Sequence, residues 1–134
     1  MTFVLSNGLR RTLTIDAVVS GASAVLLLVA GDALARWLAV PETLLRYAGI
    51  LLVPFAVYVG TLARRETATR SSVGAVIGMN IAWVVASAWL VMGSAVRPTA
   101  AGYGFIVSQA VAVALLAELQ YIGLRRAAPR SVAT

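Results

Sequence analysis

The chain has 134 residues, 60% hydrophobic and 12% charged, and its 11 basic residues, all arginine, give a formal net charge of +6. A soluble domain carries about a quarter of its residues charged, so this composition points to lipid. Cysteine and histidine are both absent, which excludes disulfides, thiolate nucleophiles and Cys- or His-ligated metal; no cofactor or metal site is expected.

The arginines organise the chain. Arg10 and Arg11 precede a first apolar run, Arg64, Arg65 and Arg70 separate a second from a third, and Arg125, Arg126 and Arg130 follow a fourth. Only Arg36, Arg46 and Arg97 lie on the other side of the runs. Short loops retain arginine on the cytoplasmic side, so both termini and the middle loop are expected inside. Crossing about 30 Å of hydrocarbon takes about 20 helical residues, and four spans use nearly the whole chain. The expected fold is therefore an all-α integral membrane protein, a four-transmembrane-helix bundle forming one domain over residues 1–126. The all-arginine, Ala-, Val- and Leu-rich usage points to a GC-rich genome and a bacterial inner membrane.

The first span is expected over 12–30, and Gly31 and Asp32 end it. Residues 33–40, with Leu34, Arg36, Trp37 and Leu38, read as a short helix in the outer interface, with Asp32 as its cap. An apolar stretch behind two arginines and ending near Ala33-Leu34-Ala35 also has features of a secretory signal, but Asp16 interrupts it. Pro41 and Glu42 suit the first turn of a second span over 43–62, where Glu42 stands one turn from Arg46. Pro54 frees the carbonyl of Ile50 and predicts a bend. After the polar, basic loop 63–72, the third span is expected over 73–92 and the fourth over 99–124. Residues 127–134 read as a disordered cytoplasmic tail.

At about 100° per residue, Thr12, Asp16, Ser20 and Ser23 share one stripe of the first helix, which is expected to face the interior, with Ala17 and Gly21 beside it for close approach of a neighbour. In the third span Gly74, Gly78, Ala82 and Ala86 form a helix-packing groove for a helix of the same chain or of a second copy. Asn80, Trp83 and Ser87 lie on another face. In the fourth span Gln109 and Gln120 share a face and Glu118 points nearly opposite. Asp16, Ser20, Ser23, Asn80, Trp83, Ser87, Gln109 and Glu118 are the candidates for a polar interior.

Asp16 lies roughly 7 to 8 Å inside Arg11 and Glu118 roughly 10 Å inside Arg125 at helical rise. Intramembrane carboxylates suggest proton or cation sites. Arginines of the cytoplasmic interface within snorkelling reach would instead make both acids structural anchors. Trp37, Trp89, Tyr103 and Tyr121 fit interfacial belts.

No nucleophile, base and metal constellation supports an enzyme. The arginines flank spans and are not interleaved with aromatics, which argues for anionic headgroups as partners and against nucleic acid. The expected role is an accessory or binding bundle for lipid, an apolar ligand or a partner subunit, acting in a homo-oligomer or a larger membrane complex. The alternative is a transporter or channel working as a parallel oligomer through Asp16 and Glu118, since the strong arginine bias disfavours a dual-topology dimer.

Overall fold

The computed structural model describes residues 2–127. In chain order it contains β1 (Thr2–Val4), α1 (Asn7–Val29), α2 (Gly31–Leu38), α3 (Glu42–Ala63), β2 (Thr67–Thr69), α4 (Arg70–Met92) and α5 (Ala100–Arg126). The helices α1, α3, α4 and α5 are each long and apolar enough to cross a membrane. The expected tail falls outside the described residues except for Ala127.

Caps explain where the helices depart from the expected spans. α1 begins well before residue 12 because Ser6 takes an extended conformation and its Oγ accepts from the Leu9 N–H at 3.1 Å, satisfying a donor that the first turn cannot use internally. Thr69 does the same for α4 through the Ser72 N–H, and Thr99 for α5 through the Gly102 N–H, each at 3.1 Å. Arg10 and Arg11 therefore sit inside α1, as Arg125 and Arg126 do at the end of α5, whereas Arg64 and Arg65 follow α3. α2 starts at Gly31, earlier than expected, with Ala30 and not Asp32 at its N-cap. It stops at Leu38 because Ala39 turns left-handed, with φ 54. Pro41 precedes α3 as its N-cap, and Pro54 lies within that helix.

The packing is pairwise. α1 lies mainly against α3 and α4 against α5, with α1 also touching α5. Small residues let the first pair approach closely: a Cβ built on Gly21 would stand 3.8 Å from Ala56 Cβ, and one on Gly60 3.7 Å from Ala17 Cβ. Ala17 and Gly21 thus serve the close approach expected of them, and their neighbour is α3.

Sequence reading did not anticipate a two-stranded antiparallel sheet at the arginine-rich end. β1 pairs with β2 in the register Thr2 with Thr69, Phe3 with Ala68 and Val4 with Thr67. The Leu5 N–H extends it by donating to Glu66 O at 2.9 Å. Phe3 and Leu5 are buried and join Leu9, Leu13, Val59, Leu62, Val73, Val76 and Ile77 in an apolar cluster. At the opposite end Leu27, Leu38, Val40, Leu45 and Ile106 form a second cluster, with α2 tucked over it. The inward face of α1 runs Leu9, Leu13, Asp16, Ser20, Ala24, Leu27. Its polar residues fall between the two apolar clusters.

Candidate functional site: a buried polar network

Asp16 is 2% exposed, Asn80 3% and Gln120 0%, so the centre of this polar layer is closed to solvent and to lipid. Helix geometry brings them together. Asp16 follows Leu9 and Leu13 on the inward stripe of α1, Asn80 follows Val73, Val76 and Ile77 on that of α4, and Gln120 follows Leu116 and Ala117 on α5. Asn80 Nδ2 donates to Asp16 Oδ2 at 2.7 Å and to Gln120 Oε1 at 3.0 Å. Gln120 Nε2 donates to the same Asp16 oxygen at 2.7 Å. Ser20 Oγ, one turn along α1, donates to Asp16 Oδ1 at 3.3 Å. Three helices are thereby closed into a ring of hydrogen bonds around one carboxyl group.

A second set lies nearer the other end of the bundle. Trp83 Nε1 donates to Gln109 Oε1 at 2.6 Å, and Gln109 Nε2 donates to Ser87 Oγ at 3.0 Å and to Ile106 O at 2.9 Å. Ser87 Oγ in turn donates to Trp83 O at 2.8 Å. This set joins α4 to α5 only, and Trp83 and Gln109 are half-buried.

Most of the expected polar interior is therefore assembled: Asp16, Ser20, Asn80, Trp83, Ser87 and Gln109 all take part, and Gln120 is central to it. Ser23 is half-buried and makes no side-chain hydrogen bond among the described residues. Glu118 is exposed. It lies on the outer surface of α5, in a groove of about 320 Å³ shared with Ile77, Ile81 and Ala114. A two-residue offset from Gln120 is about 200° of helix rotation, which turns Glu118 outward while Gln120 points in. Asp16 and Glu118 thus occupy different environments and do not form one two-carboxylate pocket.

Among the described residues no arginine pairs with either acid, and Glu118 makes no side-chain hydrogen bond. Asp16 is held by amides and a hydroxyl. Among the described residues the one ion pair is Arg46 Nη2 donating to Glu42 Oε1 at 2.8 Å, one turn apart as their spacing suggested. At the arginine-rich end the guanidinium groups reach main chain: Arg10 Nη2 donates to Arg65 O at 2.9 Å and Arg70 Nη2 to Ala127 O at 2.8 Å. These bonds tie the start of α1 to the turn after α3, and the start of α4 to the end of α5. Carbonyls compete well for arginine where the chain brings helix ends together, because the last carbonyls of a helix have no internal donor.

The helix-packing residues show a different result. A Cβ added at Gly74 or Gly78 would meet nothing within 4 Å, and Gly78, Ala82 and Ala86 are exposed. Among the described residues no helix fills that groove. Asn80, Val76 and Ser87 face the interior, so the small residues necessarily face outward. Trp37, Trp89 and Tyr121 are also exposed, at 67%, 73% and 53%, as belt residues would be. Among the described residues no group of three or more Asp or Glu side chains is placed to hold a metal ion.

The chemistry available at the centre is hydrogen bonding around a single enclosed carboxyl group, with the Ser20 hydroxyl beside it and, among the described residues, no cationic side chain bonded to it. No family model, no curated protein and no solved structure matches this chain.

Proposed function

We propose that the chain is a small multi-pass protein of the bacterial inner membrane, with both termini in the cytoplasm, that acts as an accessory bundle: it binds another membrane helix and is not a catalyst. The observation that carries this reading is the contrast between its two sides. Inside, the polar groups of α1, α4 and α5 are largely engaged with one another. Outside, α4 offers Gly74, Gly78, Ala82 and Ala86 with no neighbour above the glycines. Small residues at four-residue spacing let a second helix approach backbone to backbone, where dispersion and weak Cα–H contacts act without a hydrophobic driving force. The partner helix belongs to a second copy or to a subunit of a larger complex. Anionic headgroups are the proposed contacts of Arg11, Arg64, Arg125 and Arg126, which orient the bundle and hold it against the cytoplasmic leaflet.

The test is native mass spectrometry of the full chain from mild detergent. The wild type is expected as an oligomer or with a bound membrane subunit, and Gly78→Leu is expected to release the monomer with its helix content intact. A wild-type protein that is monomeric and alone removes this reading.

One observation favours a second reading, transport of a proton or cation in a parallel oligomer. Asp16 is enclosed without a cationic partner, and ionisable groups so placed in membranes commonly serve ion pathways. Glu118 would then act on the outer surface of α5, independently of Asp16. Proton-coupled flux in liposomes that is abolished by Asp16→Asn supports this reading, and unchanged flux removes Asp16 from it.

A further inference from the structure

The end of the bundle opposite the sheet holds a recess of about 310 Å³, lined by Leu27, Leu28, Val29, Asp32, Glu42 and Arg46 among others. Three of those side chains are charged, and the aliphatic ones belong to the end of α1, where the carbonyls lose their helical donors. The break between α1 and α2 explains this. α1 ends at Val29, Ala30 takes φ −112 and ψ 19, and α2 sets off from Gly31. The Ala30 N–H still reaches Leu26 O, and the Leu34 N–H reaches Ala30 O. In an uninterrupted helix the next three carbonyls, of Leu27, Leu28 and Val29, would accept from Gly31, Asp32 and Ala33. Among the described residues none of those three bonds is made.

Three consecutive free carbonyls at the negative end of a long helix thus share a recess with the Asp32 carboxylate, which has no ion pair among the described residues. Beside them Arg46 holds Glu42 with one of its five N–H groups, leaving the rest of its fork available. The recess therefore has in its lining a negative, hydrogen-bond-accepting side and a positive donor. Exposed Leu28 and Val29 of α1 line it, Val25 stands one turn before Val29, exposed Ile50 and Val53 of α3 share the helix face of Arg46, and the exposed indole of Trp37 is on the adjoining α2.

We propose that this recess binds the headgroup of an ethanolamine phospholipid. The primary ammonium donates to Asp32 and to the carbonyls of Leu27, Leu28 and Val29. The phosphodiester meets the free edge of Arg46, and the acyl chains run along the exposed apolar side chains of α1 and α3. The ammonium has three N–H donors to match several acceptors. A choline headgroup has none and is recognised through aromatic faces instead. A glycerol headgroup has hydroxyl donors but no positive charge, and its net negative charge would meet Asp32 unfavourably. The proposal rests on the membrane-spanning reading but not on the docking of a helix at α4, which lies elsewhere on the bundle.

The full chain is exchanged into micelles doped with equal amounts of ethanolamine, choline and glycerol phospholipids of identical acyl chains, and retained lipid is read by native mass spectrometry. One ethanolamine lipid is expected to be retained over the other two. Asp32→Asn and Arg46→Gln are each expected to lower that retention about tenfold, whereas Arg36→Gln, which removes a charge from α2 outside the recess, leaves it unchanged. On the unaltered chain, retention should also fall with each methyl added to the ethanolamine nitrogen, a readout that needs no variant to fold. Equal retention of the three lipids, or a preference that survives Asp32→Asn, overturns the proposal. So does a calcium adduct that displaces the lipid and is lost in Asp32→Asn, since the recess would then be a metal site. A monomer that retains the lipid removes the helix-docking role alone, and an oligomer with no headgroup preference removes this proposal alone.

Discussion

Asn80→Ala is the most direct test of the ring that closes the bundle. The substitution deletes the amide nitrogen that donates to Asp16 Oδ2 at 2.7 Å and to Gln120 Oε1 at 3.0 Å. Interhelical hydrogen bonds inside membranes average about 0.6 kcal/mol and reach about 1.7, so the two together are worth about 1 to 3 kcal/mol. The partners then suffer unequally. Asp16 Oδ2 keeps its bond from Gln120, but Gln120 Oε1 loses its one protein donor while fully enclosed, which adds about 1 to 3 kcal/mol. The expected destabilisation is therefore about 2 to 6 kcal/mol, shared about equally between the lost bonds and the stranded acceptor. Reversible unfolding in mixed micelles, followed by tryptophan fluorescence, measures it. A double-mutant cycle with Gln120→Ala separates the terms: with the acceptor gone, Asn80→Ala should cost at least about 1 kcal/mol less. An effect of Asn80→Ala below about 0.5 kcal/mol, or strict additivity in the cycle, would refute the ring as a cooperative unit.

Gly102→Ala should be disruptive out of proportion to one methyl group, because a Cβ there would collide with Leu38 O and stand 2.7 Å from Pro98 Cβ; a loss of about 2 kcal/mol or more is expected in the same unfolding assay. Gly104→Ala, where nothing lies within 4 Å, is expected to be neutral or slightly stabilising through helix propensity, and equal costs at the two positions would contradict this packing. Phe3→Ala removes a 1% exposed ring from the cluster beneath the sheet, with an expected cost of about 3 to 5 kcal/mol and faster amide exchange at Leu5. Unchanged stability would mean that β1 is not seated there. Gln109→Leu breaks the bond from Trp83, so the tryptophan emission should shift while the bundle loses only about 1 to 2 kcal/mol, and an unmoved spectrum would place Trp83 elsewhere.

Periodicity carried the reading of individual helices a long way. It placed Asp16 and Ser20 inward, set Asn80 with Trp83 and Ser87, and separated Gln120 from Glu118, because each of these relations is local to one helix. What it could not supply was register between helices. That Gln120 meets Asp16, 104 residues away, depends on how α5 slides along α1, and several offsets would bury the same stripes. The choice of amides over arginine at Asp16 follows from that register. The glycines of α4 illustrate a related gap, since small residues permit close packing without saying which neighbour comes. The sheet was harder still: Thr2–Val4 and Thr67–Thr69 are three-residue segments that carry too little alternation to be read as strands and acquire meaning only as a pair.

That pair of strands has a bearing on how the chain is threaded. Pairing of Phe3 with Ala68 puts both on one side of the bundle, so in the membrane-spanning reading proposed above the stretch between them crosses the bilayer an even number of times. In that reading α1 and α3 make the two crossings and α2 makes none. The clasp is thus a parity check written in backbone hydrogen bonds, independent of any count of arginines. A chain inserted with one crossing missed would arrive with its first strand stranded across the membrane from its mate, and Phe3 would have no cluster to enter.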